Sequence, residues 1–322
     1  MFKSEDLQVI VLSSGEDFRL NPLVESLGEP VLPKQFASIV GNRSLLQQTV
    51  MRYVGLVPPE HIIVVVQAAH EGVARVQLSD WPGIEIITRP AKCGAGLDLL
   101  LPLGRVFGRS PAARAVVTPA DHYVPYPEGL IGSLVAANCA LDDLSVVLFG
   151  VAGGQRRGKQ AWIVPGPSLR GPIFSVAGLM EGASPLQSAE LVAAGALWNT
   201  STMVARVECL WYQAARQFPL QAEAVARLWA EKGSLARTVE KAYLNISSVE
   251  SSRGLLSGAK DLATIAVHGS GWTDWTSPEE VMDSIQDSSE LEHLLARILE
   301  QQRVSGRTQR RSAMACHHAT AA

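Results

Sequence analysis

The sequence predicts an α/β fold, a mostly parallel sheet with helices on both faces, and three observations carry that expectation. Short, β-rich apolar runs alternate with longer amphipathic stretches through the first half of the chain. Those runs are continuously apolar, as in strands buried on both sides. The polar segments that look functional follow directly after them, on the edge where the strand C-termini of such sheets meet ligands.

The candidate strands are Val9 to Leu12, His61 to Val66, Ile84 to Thr88, Ala115 to Thr118 and Ser145 to Gly150. Between the first two, Ser44 can cap a helix whose apolar residues Leu45, Leu46, Val50 and Tyr53 fall near helical spacing. Leu97 to Val106 and Gly129 to Ala140 read as later crossover helices. Beyond about residue 155 the alternation fades into a short β region at Ala161 to Val164, a helical stretch at Gln213 to Glu231 and a strand at Thr264 to His268. This pattern reads as one large domain over residues 1–300, in halves of 1–155 and 156–300. The segment 303–322, with four arginines and no periodicity, reads as a frayed tail.

Composition narrows the function. In 322 residues, 47% are hydrophobic and 18% charged, below the usual share of about 25%, so the chain buries a sizeable core. A formal charge of −3 offers no electrostatic footprint for a nucleic-acid backbone. The longest apolar runs, Ile62 to Val66 and Ser145 to Val151, are far shorter than the roughly 20 residues of a membrane-spanning helix. Glu5 and Asp6 stand before the first apolar run, unlike a signal peptide, so a cytoplasmic protein is expected. Cys93, Cys139, Cys209 and Cys316 are widely spaced with no C-x-x-C pair, which fits a reducing compartment.

Ser14-Gly15-Glu16-Asp17-Phe18-Arg19-Leu20-Asn21-Pro22-Leu23 follows the first strand, where free backbone N–H groups can cradle phosphates. With a single glycine, this segment by itself reads more readily as a plain strand-to-loop turn. Pro33-Lys34-Gln35-Phe36 comes next, then Gly41-Asn42-Arg43-Ser44-Leu45-Leu46-Gln47-Gln48-Thr49. The order R-L-x-P-L, P-K-Q-F, G-x-x-S-L-L-Q-x-T resembles the sugar-phosphate nucleotidylyltransferases, and P-K-Q-F resembles their mannose-1-phosphate guanylyltransferase branch. Later segments continue the resemblance in family order: Arg89 to Gly94 with Leu100 to Leu103, Thr118-Pro119-Ala120-Asp121-His122, Gly195 to Thr200, and Gly271-Trp272-Thr273-Asp274-Trp275.

The resemblance implies a Rossmann-like, glycosyltransferase-A-like domain with a nucleotide-binding first half and a sugar-phosphate-binding second half. It implies a reaction in which a sugar 1-phosphate oxygen attacks the α-phosphorus of a nucleoside triphosphate and pyrophosphate leaves. Crowded negative charge of this kind is neutralised by a divalent cation and by Lys or Arg. On this reading Asp121 and Asp274 hold Mg²⁺, which favours one or two carboxylates plus phosphates. Arg19 and Lys34 meet the triphosphate, Ser14, Gly15 and Gly94 line the nucleotide, and Glu181 and Asn199, the latter read as part of a turn, bind sugar hydroxyls. His122 is expected to orient its loop rather than ligate. GTP and mannose 1-phosphate are the favoured substrates, and self-association is left open.

The chain also departs from the family pattern. Where the phosphate loop reads G-G-x-G-T/S-R, Ser14 replaces the first glycine, Asp17 the last and Phe18 the hydroxyl residue. A carboxylate about 4 Å from a phosphate charge costs on the order of 1 kcal/mol in water and about 4 kcal/mol at an effective dielectric of 20. The alternative reading is therefore a weak or inactive relative that binds sugar phosphate or nucleotide as a regulator.

Overall fold

The computed structural model describes residues 6–89, 98–152, 161–230, 256 and 261–319, with 305–319 by backbone alone. Five strands form where the apolar runs predict them: β1 Leu7–Ser13, β2 Ile62–Gln67, β3 Glu85–Arg89, β4 Arg114–Pro119 and β5 Val146–Ala152. The helices α1 Asn21–Ser26, α2 Leu45–Val54, α3 Glu71–Gln77, α4 Leu100–Arg109 and α5 Glu128–Ala140 lie between them in sequence. Ser44 starts α2 with a reciprocal capping box: its Oγ accepts from the Gln47 N–H, and its own N–H donates to the Gln47 side chain.

The second half adds β6 Trp162–Arg170, β7 Ile173–Met180, α6 Pro185–Ala193, β8 Leu197–Arg206, α7 Val207–Gln217, α8 Pro219–Ala230, β9 Leu262–Val267, α9 Pro278–Ile285 and α10 Ser289–Ala319. The helical stretch expected at 213–231 is two helices, divided at Phe218 and Pro219. Residues 303–319, read from sequence as a frayed tail, continue α10. Helical phase is hard to read there because the segment lacks an apolar stripe.

All nine strands form one sheet in the order β3-β2-β1-β4-β8-β5-β9-β7-β6. The side from β3 to β4 is parallel throughout, as expected. The sheet as a whole is mixed, because β8 runs antiparallel to both β4 and β5, and β7 antiparallel to β6 and β9. Asn199, expected in a turn, lies instead in the central strand β8; within 195–200 only Gly195, at φ +76°, and Ala196 lie outside that strand.

Alternation along the buried strands assigns the two faces. Val9, Val11, Ile62, Val64 and Val66 pack with α2, α3 and α5 residues, whereas Ile10, Ile63 and Val65 pack with α4, α7 and α8. A third cluster joins α1, α9 and α10 around the fully buried Trp275. That cluster brings the end of the chain onto the loops that follow β1 and β4.

One close approach fixes α5 against the end of β9. A Cβ on Gly129 would lie 2.0 Å from the His268 carbonyl oxygen, backbone against backbone, whereas one on Gly132 would meet nothing within 4 Å. Gly129→Ala is expected to lower stability by about 1–3 kcal/mol, and Gly132→Ala to raise it by up to about 1 kcal/mol, both read from denaturant midpoints. Equal effects of the two substitutions would show that the contact does not constrain the helix.

Candidate active site

The loop after β1 is held from below by side chains of neighbouring elements. Gln35 Nε2 donates to the carbonyls of Ser13 at 3.1 Å and Gly15 at 2.7 Å. Gln67 at the end of β2 and Arg89 at the end of β3 both donate to the Ser14 carbonyl, at 3.0 and 2.8 Å. The Ser14 hydroxyl donates to buried Asp98, whose carboxylate also lies 2.9 Å from Arg89 Nε. Burial raises the Asp98 carboxyl to about 6, against the opposing charge of Arg89 and the Ser14 hydrogen bond. Ser14 is therefore turned inward as a loop anchor, while Gly15 is exposed with open space beside it. Gly94 lies outside the described residues.

Lys34 opens a short 3-10 turn, and its side chain is 1% exposed. Its Nζ lies 2.5 Å from Asp274 Oδ1, 3.3 Å from Asp121 Oδ2 and 3.3 Å from Asp17 Oδ2, and it donates to the Trp275 carbonyl at 3.1 Å. An ammonium has three hydrogens, so it cannot bond all four acceptors at once. Burial disfavours the ammonium, but Asp121, Asp274 and Asp17 hold it above the ordinary lysine value. The structure thus brings Asp121 and Asp274, 153 positions apart in sequence, together on one lysine. Tyr123 and Thr273 exchange backbone hydrogen bonds at 3.0 Å in both directions, and the Tyr123 ring stacks on Trp275 at 4.4 Å, so the two aspartate loops are clamped side by side.

Asp17 has a role that its sequence position does not reveal. It accepts from Arg19 Nε at 2.9 Å and from a terminal guanidinium nitrogen at 2.5 Å, while its backbone carbonyl accepts from the Lys34 N–H at 3.0 Å. Burial works against its charge, but the Arg19 hydrogen bonds and the Lys34 charge hold the carboxyl well below the usual range. Arg19 itself stands at the mouth, 55% exposed. The two cations assigned to the triphosphate are thus engaged by a carboxylate of the chain.

Three carboxylates face two cations in this cluster, leaving one excess negative charge and hard oxygen donors suited to a divalent cation. Ligand atoms of Asp121, His122 and Asp274 lie within 4.8 Å of one another. Of these, His122 is the poorest ligand. Trp272 Nε1 donates to its Nδ1 at 3.2 Å, which leaves the proton of a neutral ring on Nε2, 3.8 Å from Asp121. Burial keeps His122 neutral, aided by the Lys34 and Arg52 charges and opposed by Asp121 and Asp274. Burial also works against Asp274 ionisation, yet the charge and hydrogen bond of Lys34, with the charge of Arg19, hold that carboxyl below its ordinary value.

A cavity of about 540 Å³ adjoins the cluster, lined by Glu181, Asn199, Ser201, His122, Trp272 and Asp274 among others. Glu181 directly follows β7, and Asn199 comes from β8. The β5–β8 register shifts between Leu148↔Met203 and Gly150↔Asn199, and Ser201 in the bulge takes φ 55°. Asn199 Oδ1 accepts from the Ser201 N–H at 2.9 Å, which fixes the amide with its NH₂ free to donate. Sequence reasoning missed Gln35, Asp98 and Ser201 as supports; the glutamine of P-K-Q-F was the one signal available.

No family model matches the chain. Among curated proteins, the alginate biosynthesis protein AlgA of Pseudomonas putida is 29% identical over 219 residues, 61% of this chain and 41% of that protein. The chain thus matches about two fifths of the length of that relative. Among solved structures, mannose-1-phosphate geranyltransferase from Thermus thermophilus aligns with a TM-score of 0.75 at 24% identity, over 87% of this chain and 79% of that one. The chain shares the fold of that solved structure. Mannose-6-phosphate isomerase from Helicobacter pylori follows at 0.65 and 15% identity, covering 84% of this chain and all of that one. Inositol-1-phosphate CTP transferase from T. maritima aligns at 0.54 and 15% identity, over 90% and 95%. No described helix is long and apolar enough to cross a membrane.

The Lys34 cluster has a defined pH signature. Asp17 and Asp274 sit below their ordinary value of 3.8, so their contribution to stability is present above that pH and lost as pH falls further. Lys34 sits above 10.5, so its contribution is present below that pH and lost as pH rises through the folded-state value. Lys34→Met, which leaves partly buried carboxylates unpaired, is expected to cost about 3 kcal/mol at pH 7. The deficit should shrink below about pH 4, and a pH-independent deficit in denaturant melts would refute the ion-pair account.

Proposed function

We propose that the chain is a nucleotidylyltransferase joining a sugar 1-phosphate to a nucleoside triphosphate, with GTP and mannose 1-phosphate the favoured pair. The observation that carries this reading is the convergence of Arg19, Lys34, Asp121 and Asp274 beside a cavity lined by Glu181 and Asn199. A phosphate oxygen of the sugar 1-phosphate bonds to the α-phosphorus, the bond from that phosphorus to the bridging oxygen breaks, and pyrophosphate leaves. Covalent catalysis has no part in this, so the protein's task is positioning and charge neutralisation.

Asp121 and Asp274 would hold a divalent cation, which when bound neutralises charge on the phosphates. Lys34 keeps the two carboxylates together before substrate arrives. Arg19, exposed and tied only to Asp17 among the described residues, is free to turn its guanidinium fork to the triphosphate. Glu181 would accept from sugar hydroxyls and the Asn199 amide donate to them. Ser14 supports the loop through its buried network, and Gly15 presents backbone to the nucleotide. A cytoplasmic setting, with its supply of nucleoside triphosphates, suits this chemistry.

One observation favours a second reading, binding without turnover: Asp17 occupies the cations that phosphate needs. Release of pyrophosphate from a panel of triphosphates and sugar 1-phosphates, with Mg²⁺ present, decides between them. The first reading expects release with at least one pair, and Asp121→Asn or Asp274→Asn lowering it by a hundredfold or more with the fold intact. Calorimetric binding without release by any pair establishes the second. Under either reading, Asp17→Gly should tighten triphosphate binding by about tenfold, roughly 1.4 kcal/mol; unchanged affinity would mean that Asp17 does not compete with phosphate.

A further inference from the structure

A larger cavity, of about 710 Å³, lies on the other side of the clamped aspartate loops, where Tyr123 and Gly271 form part of its wall. Its size is within the range of small-molecule sites, about 300–1,000 Å³. Two arginines line it. Arg52, from α2, donates to Thr49 Oγ1 at 2.6 Å, yet its Nε is buried with no hydrogen-bond partner and no carboxylate pairs with it among the described residues. Arg43 rests over the Trp81 ring at 5.5 Å and forms a loose ion pair, 3.9 Å, with the exposed Asp80, and the same buried terminal nitrogen has no hydrogen-bond partner.

A buried guanidinium with unmet N–H groups is costly unless something accepts from it. Asp283 in α9 and Glu290 at the start of α10 line the same cavity, and neither forms a hydrogen bond or ion pair with a described residue. Groups of opposite charge that share a cavity without pairing leave both donors and acceptors open to a visitor. Guanidinium forks match phosphate oxygens, and carboxylates accept from hydroxyls.

We propose that this cavity is a second anion site, separate from the Lys34 cluster, which takes a phosphorylated polyol with its phosphate on Arg52 and Arg43 and its hydroxyls on Asp283 and Glu290. Such a molecule rests against Tyr123 and Gly271, two residues from Asp121 and three from Asp274. Gly271 is held at φ +63°, and a Cβ there would lie 2.7 Å from Pro125, so this part of the wall takes no side chain.

The test is calorimetric titration of the full chain with inorganic phosphate and, separately, with glucose 6-phosphate, which carries no phosphate at the anomeric carbon. Glucose 6-phosphate should bind more tightly than phosphate. Arg52→Gln and Arg43→Gln should each weaken both probes at least tenfold, and Asp283→Asn should weaken glucose 6-phosphate about fivefold while leaving phosphate unchanged. Arg19→Gln, in the other site, should change neither. If Arg52→Gln fails to fold, Arg43→Gln, at the rim of the cavity, carries the comparison. No binding of either probe at millimolar concentration overturns the proposal. Binding that Arg19→Gln abolishes and Arg43→Gln spares also overturns it, by placing the probes in the Lys34 site. Equal affinity for the two probes overturns the polyol assignment.

Discussion

A single buried ammonium organises the functional edge of this protein. Lys34 gathers Asp17 from the loop after β1, Asp121 from the loop after β4, and Asp274 and the Trp275 carbonyl from the segment after β9. These pieces come from widely separated parts of the chain, and of the three carboxylates only Asp17 carries a counter-charge locally, on Arg19. Without the lysine, three carboxylates would crowd one another in a partly desolvated place, where repulsion is strong. The packing around it serves the same end: Trp275 is buried against Tyr123, its indole N–H donates to Ser284 at 2.9 Å, and α9 and α10 close over that cluster.

The arrangement changes the meaning of Asp17. Considered against an incoming phosphate, it is simply repulsive. Within the fold it is an internal counter-ion, bonded through two oxygens to Arg19 and lying near Lys34. On the proposed reading, an incoming phosphate therefore does not meet two vacant cations and a stray carboxylate. It meets a salt bridge that must open, and the cost of opening is shared between Asp17 and the rest of the cluster. Exposure of Arg19 makes that exchange geometrically accessible, whereas Lys34, behind it, keeps its two aspartates.

The sheet explains how distant loops reach one edge. Parallel strands β1, β2, β3 and β4 deliver their C-terminal loops to the same side. Strand β8 enters the middle in the opposite sense, so it presents its N-terminal end there, and Asn199 lies close to that end. The bulge at Ser201 then interrupts the ladder, and the amide of Asn199 bonds into it. An antiparallel strand in the centre is the simplest way for a residue that begins a strand to join residues that end one.

Much of the fold was legible in the sequence because buried parallel strands are written as unbroken apolar runs and Ser44 begins a reciprocal cap; β1 to β5 and α2 fall where those signals place them. Strands β7 and β8 were not legible. β7 is only partly buried, and β8 carries near its start Asn199, which reads as part of a turn, so neither shows a clean period. The residue types of the site and their order along the chain were also local information, which is why Arg19, Lys34, Asp121 and Asp274 could be singled out. Their partnership was not. Charge pairing acts through space over a few ångströms, and only the folded sheet decides that Lys34 meets Asp274 across 240 residues, that Asp17 turns to Arg19, and that Ser14 points inward to Asp98.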